Sequence, residues 1–240
     1  MDSDLLRKTW AEVTARHGEA VPRWFYATLF LAAPYLRPLF GADMTEQRRK
    51  ITAMLTLVVR GAHDLDTVVP VLQRLGRDHR RFRVGEDAYD AVGEALLSTL
   101  EHFLGDAWTP DVEATWTEAY GAVANAMIAA AREAARTEQP AWWDSQILFV
   151  ELNPQRDRAY VVFQPPPGLP PGADLTIPVA LEARPGTWMH VQPFPVDGGW
   201  AVYVPITDDP ITLALSQAQP GDLLRLGQPS HPIDQLLEDS

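Results

Sequence analysis

Five side chains of this 240-residue chain are of types and in positions that invite a chemical reading, and none declares one alone. His79 closes a helical run, Leu75-Gly76-Arg77-Asp78-His79. An imidazole there usually answers the helix's C-terminal dipole or is solvated, and less often ligates a metal. Tyr26 falls on the apolar side of its helix beside Phe25, as a core tyrosine whose hydroxyl finds a backbone partner does. Gln47 precedes Ile51 by one turn on the same face, where a helix-start polar residue is ordinary. Tyr89 and Glu133 lie on two different long helices, and Glu133 follows Ala129-Ala130-Ala131 as a solvent-facing acid would. Other chemistries are excluded more firmly. With no cysteine there are no disulfides, zinc-thiolate sites, iron–sulfur clusters or thiol nucleophile. The chain has no Gly-rich phosphate loop, no H-E-x-x-H and no G-x-S-x-G.

Proline separates the elements that must hold these side chains. Five of the 21 prolines lie in residues 1–139 and sixteen in 140–240, so helices are expected first and strands with loops after. The first part reads as a run of amphipathic helices. Leu5, Leu6, Trp10 and Val13 mark one; Val21, Trp24, Phe25 and Leu29 a second; Ile51, Leu55 and Val58 a third over about 46–62. Asp66-Thr67 is expected to cap a fourth, with Pro70 in its first turn. Tyr89, Val92, Leu96, Leu100 and Phe103 keep helical spacing, and Thr109-Pro110 opens a last helix with Val112, Trp116, Tyr120 and Met127 on one face. Such helices must pack on one another, giving a compact all-α domain. The second part alternates in the strand manner at 146–152, 159–164, 175–183, 188–194, 200–206, 211–215 and 223–226, which suggests a small antiparallel barrel or sandwich.

A net charge of -12 repels nucleic acid and anionic membrane, and no Lys/Arg block is long enough to override it. The N-terminus lacks a signal pattern, and no apolar stretch reaches the ~20 residues of a span. A cytoplasmic protein is the expectation. Composition and periodicity thus yield an α domain and a β domain, without chemistry.

Chemistry enters through a resemblance. Trp24-Phe25-Tyr26-Ala27-Thr28-Leu29-Phe30, Pro34-Tyr35-Leu36-Arg37-Pro38-Leu39-Phe40, Gln47-Arg48 with Ile51, and His79-Arg80-Arg81-Phe82 together resemble the globin domain of bacterial flavohaemoglobins. The order and spacing continue through Gly93-Glu94 and Ala119-Tyr120-Gly121 to Glu133. The resemblance implies a globin fold over residues 1–136 and a haem b ligated by His79. It puts Phe40 flat on the haem, Tyr26 and Gln47 toward a bound ligand, and Ile51 in the distal pocket. It puts Tyr89 and Glu133 behind the proximal imidazole, with the His79 ring N–H donating toward Glu133. Small ligands such as O2, NO or CO follow. Where the family commonly has a basic residue before the proximal His, this chain has Asp78, and Arg80 or Arg81 is expected to serve a haem propionate instead.

Residues 140–228 look like a diverged copy of the family's flavin-binding barrel, and 229–240 like a loose tail. Pro171-Gly172-Ala173-Asp174 stands at a family turn. Met189, His190, Val191 and Gln192 stand where the family has Arg-x-Tyr-Ser, and Asp208-Asp209-Pro210-Ile211-Thr212 replaces its phosphate turn. Residues 140–240 hold four Arg and no Lys against twelve acids, which disfavours a pyrophosphate, so FAD is not expected. Residues 228–240 are too few for a βαβ unit, so no nicotinamide site is expected in this chain. The resemblance implies two functions: NO dioxygenase-type chemistry fed by a separate reductase, or a haem-based sensor whose barrel is an interaction module. A blander alternative is a barrel that only covers the globin.

Overall fold

A hydroxyl residue followed by proline opens the longest helix. Thr109 Oγ1 accepts from the Val112 amide and Pro110 takes the first helical position, so α6 runs over Pro110–Arg136. The structure is a computed structural model that describes the chain except at residues 42, 65–66, 84, 138–139, 154, 156, 166–176, 182–187 and 228–240. The turn expected at 171–174 and the tail at 229–240 therefore lie outside the described residues. The chain divides into two compact units, with the described residues up to Thr137 in the first and those from Pro140 in the second.

The first unit is helical throughout. Its other helices are α1 (Ser3–His17), α2 (Ala20–Ala32), α3 (Thr45–Arg60), α4 (Val69–His79) and α5 (Asp87–Leu104), with short 3-10 turns between several of them. Asp2 caps α1 by accepting from the Asp4 and Leu5 amides. α4 begins later than its expected cap. Val68 is its N-cap, and Thr67 spends its hydroxyl on the Asp64 carbonyl; Asp66 lies outside the described residues.

Two glycines let helices of this unit approach closely. A Cβ on Gly76 would stand 2.1 Å from the Met127 carbonyl oxygen, so only glycine lets α4 lie against α6 there. Gly76→Ala is expected to cost about 1–3 kcal/mol by forcing that contact apart. Thermal denaturation checks this, and an unchanged melting temperature would mean the helices separate at no cost. Gly93 on α5 likewise admits the Tyr120 ring, whose Cε1 would lie 2.6 Å from an added Cβ.

The apolar interior of this unit is split. One cluster joins α1, α2, α3, α5 and the first half of α6 around Leu6, Trp10, Phe25, Leu29, Leu100 and Trp116. A second, smaller one holds Val58, Val68, Leu72 and Met127. Half-buried apolar side chains border both: Phe40, Ile51, Leu55, Val92 and Leu97 on the first, Leu75, Tyr89 and Val123 on the second. A domain of this size normally has one contiguous core.

The second unit is a curled antiparallel half-barrel. Its strands are β1 (Trp142–Asn153), β2 (Arg158–Phe163), β3 (Ile177–Leu181), β4 (Met189–Val191), β5 (Phe194–Val196), β6 (Gly199–Pro205) and β7 (Leu223–Gly227), in the order β4-β3-β7-β1-β2-β6-β5. β1 serves both halves of the sheet, and its register shifts between Ile147 and Phe149 as it passes from β7 to β2. Ile147, Val161, Phe163, Ile177, Leu224 and Leu226 are fully enclosed on the concave side. The outer face is unusually aromatic. Phe149, Phe194 and Tyr203 are 47%, 36% and 57% exposed, and Tyr160 lies 5.3 Å from Tyr203 between ring centroids.

Two strand expectations are corrected here. Residues 188–194 split into β4, which pairs with β3, and the start of β5, which pairs with β6, with Gln192-Pro193 between them. Residues 211–215 form a helix, α7 (Pro210–Ser216). Asp209 Oδ1 accepts from the Ile211 and Thr212 amides and Pro210 takes the first helical position. A five-residue apolar run does not distinguish helix from strand, and the cap decides. No helix among the described residues is long and apolar enough to cross a membrane.

Candidate functional site

The phenol of Tyr26 is the most enclosed of the candidate groups. α2 buries it to 6% exposure, with the ring against Phe25, Phe30 and Phe40 at 5.0, 5.7 and 5.6 Å between centroids. Its hydroxyl donates weakly to the main-chain oxygen of Gln47 at 3.4 Å. Burial pushes the Tyr26 pKa up to about 12, against the opposing pull of the Gln47 hydrogen bond and the Arg48 charge, so the group remains a neutral donor. Phe40 follows a 3-10 turn, Pro34–Leu39, and Arg37 Nη1 holds that bend by donating to the Phe40 and Gly41 carbonyls at 2.8 and 3.2 Å. Gln47 and Ile51 lie half-buried one turn apart on α3, and Ile51 packs on the same apolar cluster as Tyr26 and Phe40. The chain thus gathers Tyr26, Phe40, Gln47 and Ile51 at one place.

His79 is the last residue of α4 and belongs to the other group. Its Nδ1 lies 2.7 Å from the Leu75 carbonyl oxygen, one turn back. A carbonyl only accepts, so Nδ1 carries the hydrogen and Nε2 presents its lone pair. Burial holds the His79 pKa below the ordinary imidazole value, with the Arg81 charge acting the same way and the Leu75 bond opposing. The ring is therefore neutral, the form that ligates a metal. Phe82 and Tyr89 flank it at 5.9 and 6.5 Å between centroids. The start of α5 that carries Tyr89 is fixed in turn, since Tyr120 donates its hydroxyl to the Tyr89 carbonyl at 2.5 Å.

The expected bond from His79 to Glu133 is not formed. Glu133 is exposed, with Oε2 2.8 Å from Arg136 Nη2, and the Leu75 carbonyl already takes the imidazole N–H. Asp78 is largely buried and faces Arg81 across 3.8 Å, and burial raises its pKa despite that charge. Arg81 also lies over the Phe82 ring, 4.9 Å from its centroid. Two guanidinium atoms that sequence reasoning passed over are buried without a hydrogen-bond partner: Arg48 Nε on α3 and Arg74 Nη1 on α4. Their signal was positional: Arg48 directly follows Gln47 and stands one turn before Ile51, and Arg74 stands one turn before Asp78, whose carboxyl feels its charge.

The Globin family model matches residues 23–127, a stretch that contains six of the seven candidate residues, Glu133 alone falling beyond it. A flavohemoprotein of Bacillus subtilis is 30% identical over 155 residues, covering 62% of this chain and 39% of the relative. One of Halalkalibacterium halodurans is 28% identical over 196 residues, covering 76% and 48%. The chain thus spans less than half the length of these curated relatives. Among solved structures, flavohemoglobin from Malassezia yamatoensis, with bound FAD and heme, superposes with a TM-score of 0.69 at 19% identity over 96% of this chain and 64% of that one. A bacterial globin from Campylobacter jejuni reaches 0.50 at 19% identity over 56% and 96%. These two likenesses concern the fold. The helical first unit of this chain is a globin domain, followed by an antiparallel seven-stranded half-barrel.

Proposed function

We propose that the first unit binds haem b through His79 Nε2 and uses it to bind O2 and convert NO to nitrate, with a separate reductase returning the electron. The observation that carries this reading is the split interior, whose two clusters are each bordered by half-buried apolar side chains of the kind that would line a flat apolar group. The orphaned Arg48 and Arg74 atoms suit its carboxylates, and a lone neutral imidazole suits a metal that brings its other ligands with it. Haem, when bound, would supply an iron that takes O2, NO or CO.

The chain's own residues then do the rest. Tyr26 donates its phenol hydrogen to the negative charge that develops on an oxygen ligand, and Gln47 adds an amide N–H from the start of α3. Phe40 and Ile51 keep water out. The Leu75 carbonyl orients the imidazole and makes it a better donor, and Tyr89 buttresses the ring. Glu133 would join that side only by leaving Arg136.

The same reading gives the half-barrel no flavin. β4 offers Met189, His190 and Val191 without an arginine, and the two amides at the start of α7 are already taken by the carboxylate of Asp209. A pyrophosphate there would displace a fixed like charge. The solved relative that holds FAD makes this the point most worth testing.

The purified chain is expected to show the absorption of a His-ligated haem b when oxidised and reduced, a shifted band with CO, and no flavin band. A protein that stays colourless after reconstitution with hemin removes the haem reading, and flavin in step with protein removes the other. Mixing the O2-loaded protein anaerobically with NO is expected to give nitrate rapidly, and slow or absent nitrate would remove the dioxygenase. One observation favours a second reading, a haem-based sensor with an interaction module. The aromatic outer face around Tyr160 and Tyr203 is the kind of surface a partner covers. Failure of cellular reductases to return the electron would favour it.

A further inference from the structure

The outward side of α2 departs from the pattern of a surface helix. No charged residue occurs between Arg23 and Arg37, and Trp24, Thr28 and Leu31, with Tyr35 in the turn beyond, recur at spacings of four, three and four. A solvent-facing helix ordinarily carries charge on its outer side. Here Trp24, Leu31 and Tyr35 are 42%, 86% and 55% exposed. α5 lies beside this row and runs antiparallel to it. The Trp24 ring stacks on His102 near the end of α5, 3.7 Å between centroids and 2° between planes. The Tyr35 hydroxyl donates to Asp87 Oδ2 at the start of α5, at 2.7 Å. Asp87, Glu94 and Glu101 follow one another every seven residues, which aligns them as one row along α5. All three are exposed, and among the described residues none of them has an ion pair. An uncharged apolar row thus runs alongside an acidic one.

We propose that this α2–α5 face docks an amphipathic helix of a partner protein, one with an apolar stripe and with lysine or arginine beside it every seven residues. Spacings of four, three and four are those of the seam between two packed helices. Apolar anchors of the partner cover Trp24, Leu31 and Tyr35, and its cations meet Asp87, Glu94 and Glu101. The net charge of -12 draws such a segment in. A second copy of this chain fits the face poorly. Its α2 brings no cation between Arg23 and Arg37, and its own acidic row would come near this one. The inference is independent of haem and of the half-barrel.

The probe is a synthetic peptide of about four helical turns, with leucine at both core positions of each heptad and lysine beside them. Its binding to the full chain is followed by the fluorescence anisotropy of a dye on the peptide. One comparison peptide carries glutamate in place of lysine, and another the same residues in an order that breaks the stripe. The lysine peptide is expected to bind, and the other two about tenfold more weakly or less. Leu31→Asp, at a position 86% exposed, and the double variant Glu94→Lys with Glu101→Lys are each expected to weaken binding about tenfold or more, with circular dichroism unchanged. Glu151→Lys with Asp197→Lys changes the net charge equally at exposed positions of the second unit, and is expected to leave binding within about twofold. Equal loss in the two double variants would mean that the peptide reads bulk charge, and undiminished binding to Leu31→Asp that it sits elsewhere. Either result overturns the proposal, as does a lysine peptide that fails to bind. A chain that sediments as a dimer, and as a monomer in Leu31→Asp, gives the face to a second copy and overturns it too.

Discussion

His79→Ala is expected to abolish stable haem incorporation. Loss of a partner that merely orients a metal ligand costs about 10–100-fold in affinity, and loss of the ligand itself should exceed that. The measurement is transfer of hemin to an excess of a scavenging apoprotein, where the variant should release it far faster than the wild-type chain. The substitution removes only a helix-terminal, half-buried side chain and its bond to Leu75, so the fold should survive, as circular dichroism would show. Added imidazole then supplies the missing donor and should restore the wild-type spectrum. A variant that keeps its haem with an unchanged CO band would assign the iron to another residue and remove the foundation of the proposed chemistry.

The role proposed for His79 was legible in the chain only as one member of a set that resembles a known family. Taken alone, a histidine ending Leu75-Gly76-Arg77-Asp78 reads as a dipole partner. What made it a ligand candidate was the resemblance of the spaced set as a whole to a globin domain, and of that set the structure gathers Tyr26 with Gln47 and His79 with Tyr89. Helix starts marked by local chemistry were legible too, Thr109-Pro110 above all, because a cap acts within three residues. The misreadings share a cause. Residues 211–215 look like a strand until Asp209 is recognised as a cap, and Glu133 looks like the acceptor for the His79 N–H, which in the structure goes to the Leu75 carbonyl. In the first case a side-chain cap decided and in the second a backbone carbonyl one turn away, and apolar periodicity carries no record of either. Gly76 belongs with these. Its closeness to Met127 depends on how two helices separated by some fifty residues cross, which neither helix encodes alone.

Tyr26→Phe is expected to speed O2 release about 10–100-fold. The phenol is buried and has only a 3.4 Å contact to the Gln47 main-chain oxygen, so its hydrogen is available to a better acceptor. A hydrogen bond to a charged group is worth about 1.5–3 kcal/mol, and each 1.4 kcal/mol is about tenfold in an equilibrium. The comparison with CO isolates this term. CO carries little negative charge on its oxygen, so its release should change little in the same variant, whereas a general loosening of the pocket would speed both gases alike. The effect has a predicted pH range as well. Tyr26 gives up its proton at about 12 in the folded chain against 10.0 ordinarily, so it remains a donor throughout the range in which the protein is handled, and O2 release should be flat there. The sign for stability runs the other way. As pH rises from 10.0 toward about 12 the unfolded chain loses this proton before the folded one does, so folding weakens across that interval in the wild type and not, through this group, in Tyr26→Phe. An O2 off-rate that the substitution leaves unchanged would mean the phenol points at Gln47 and nothing else. The ligand's charge would then have to be met from α3 alone, by the Gln47 amide.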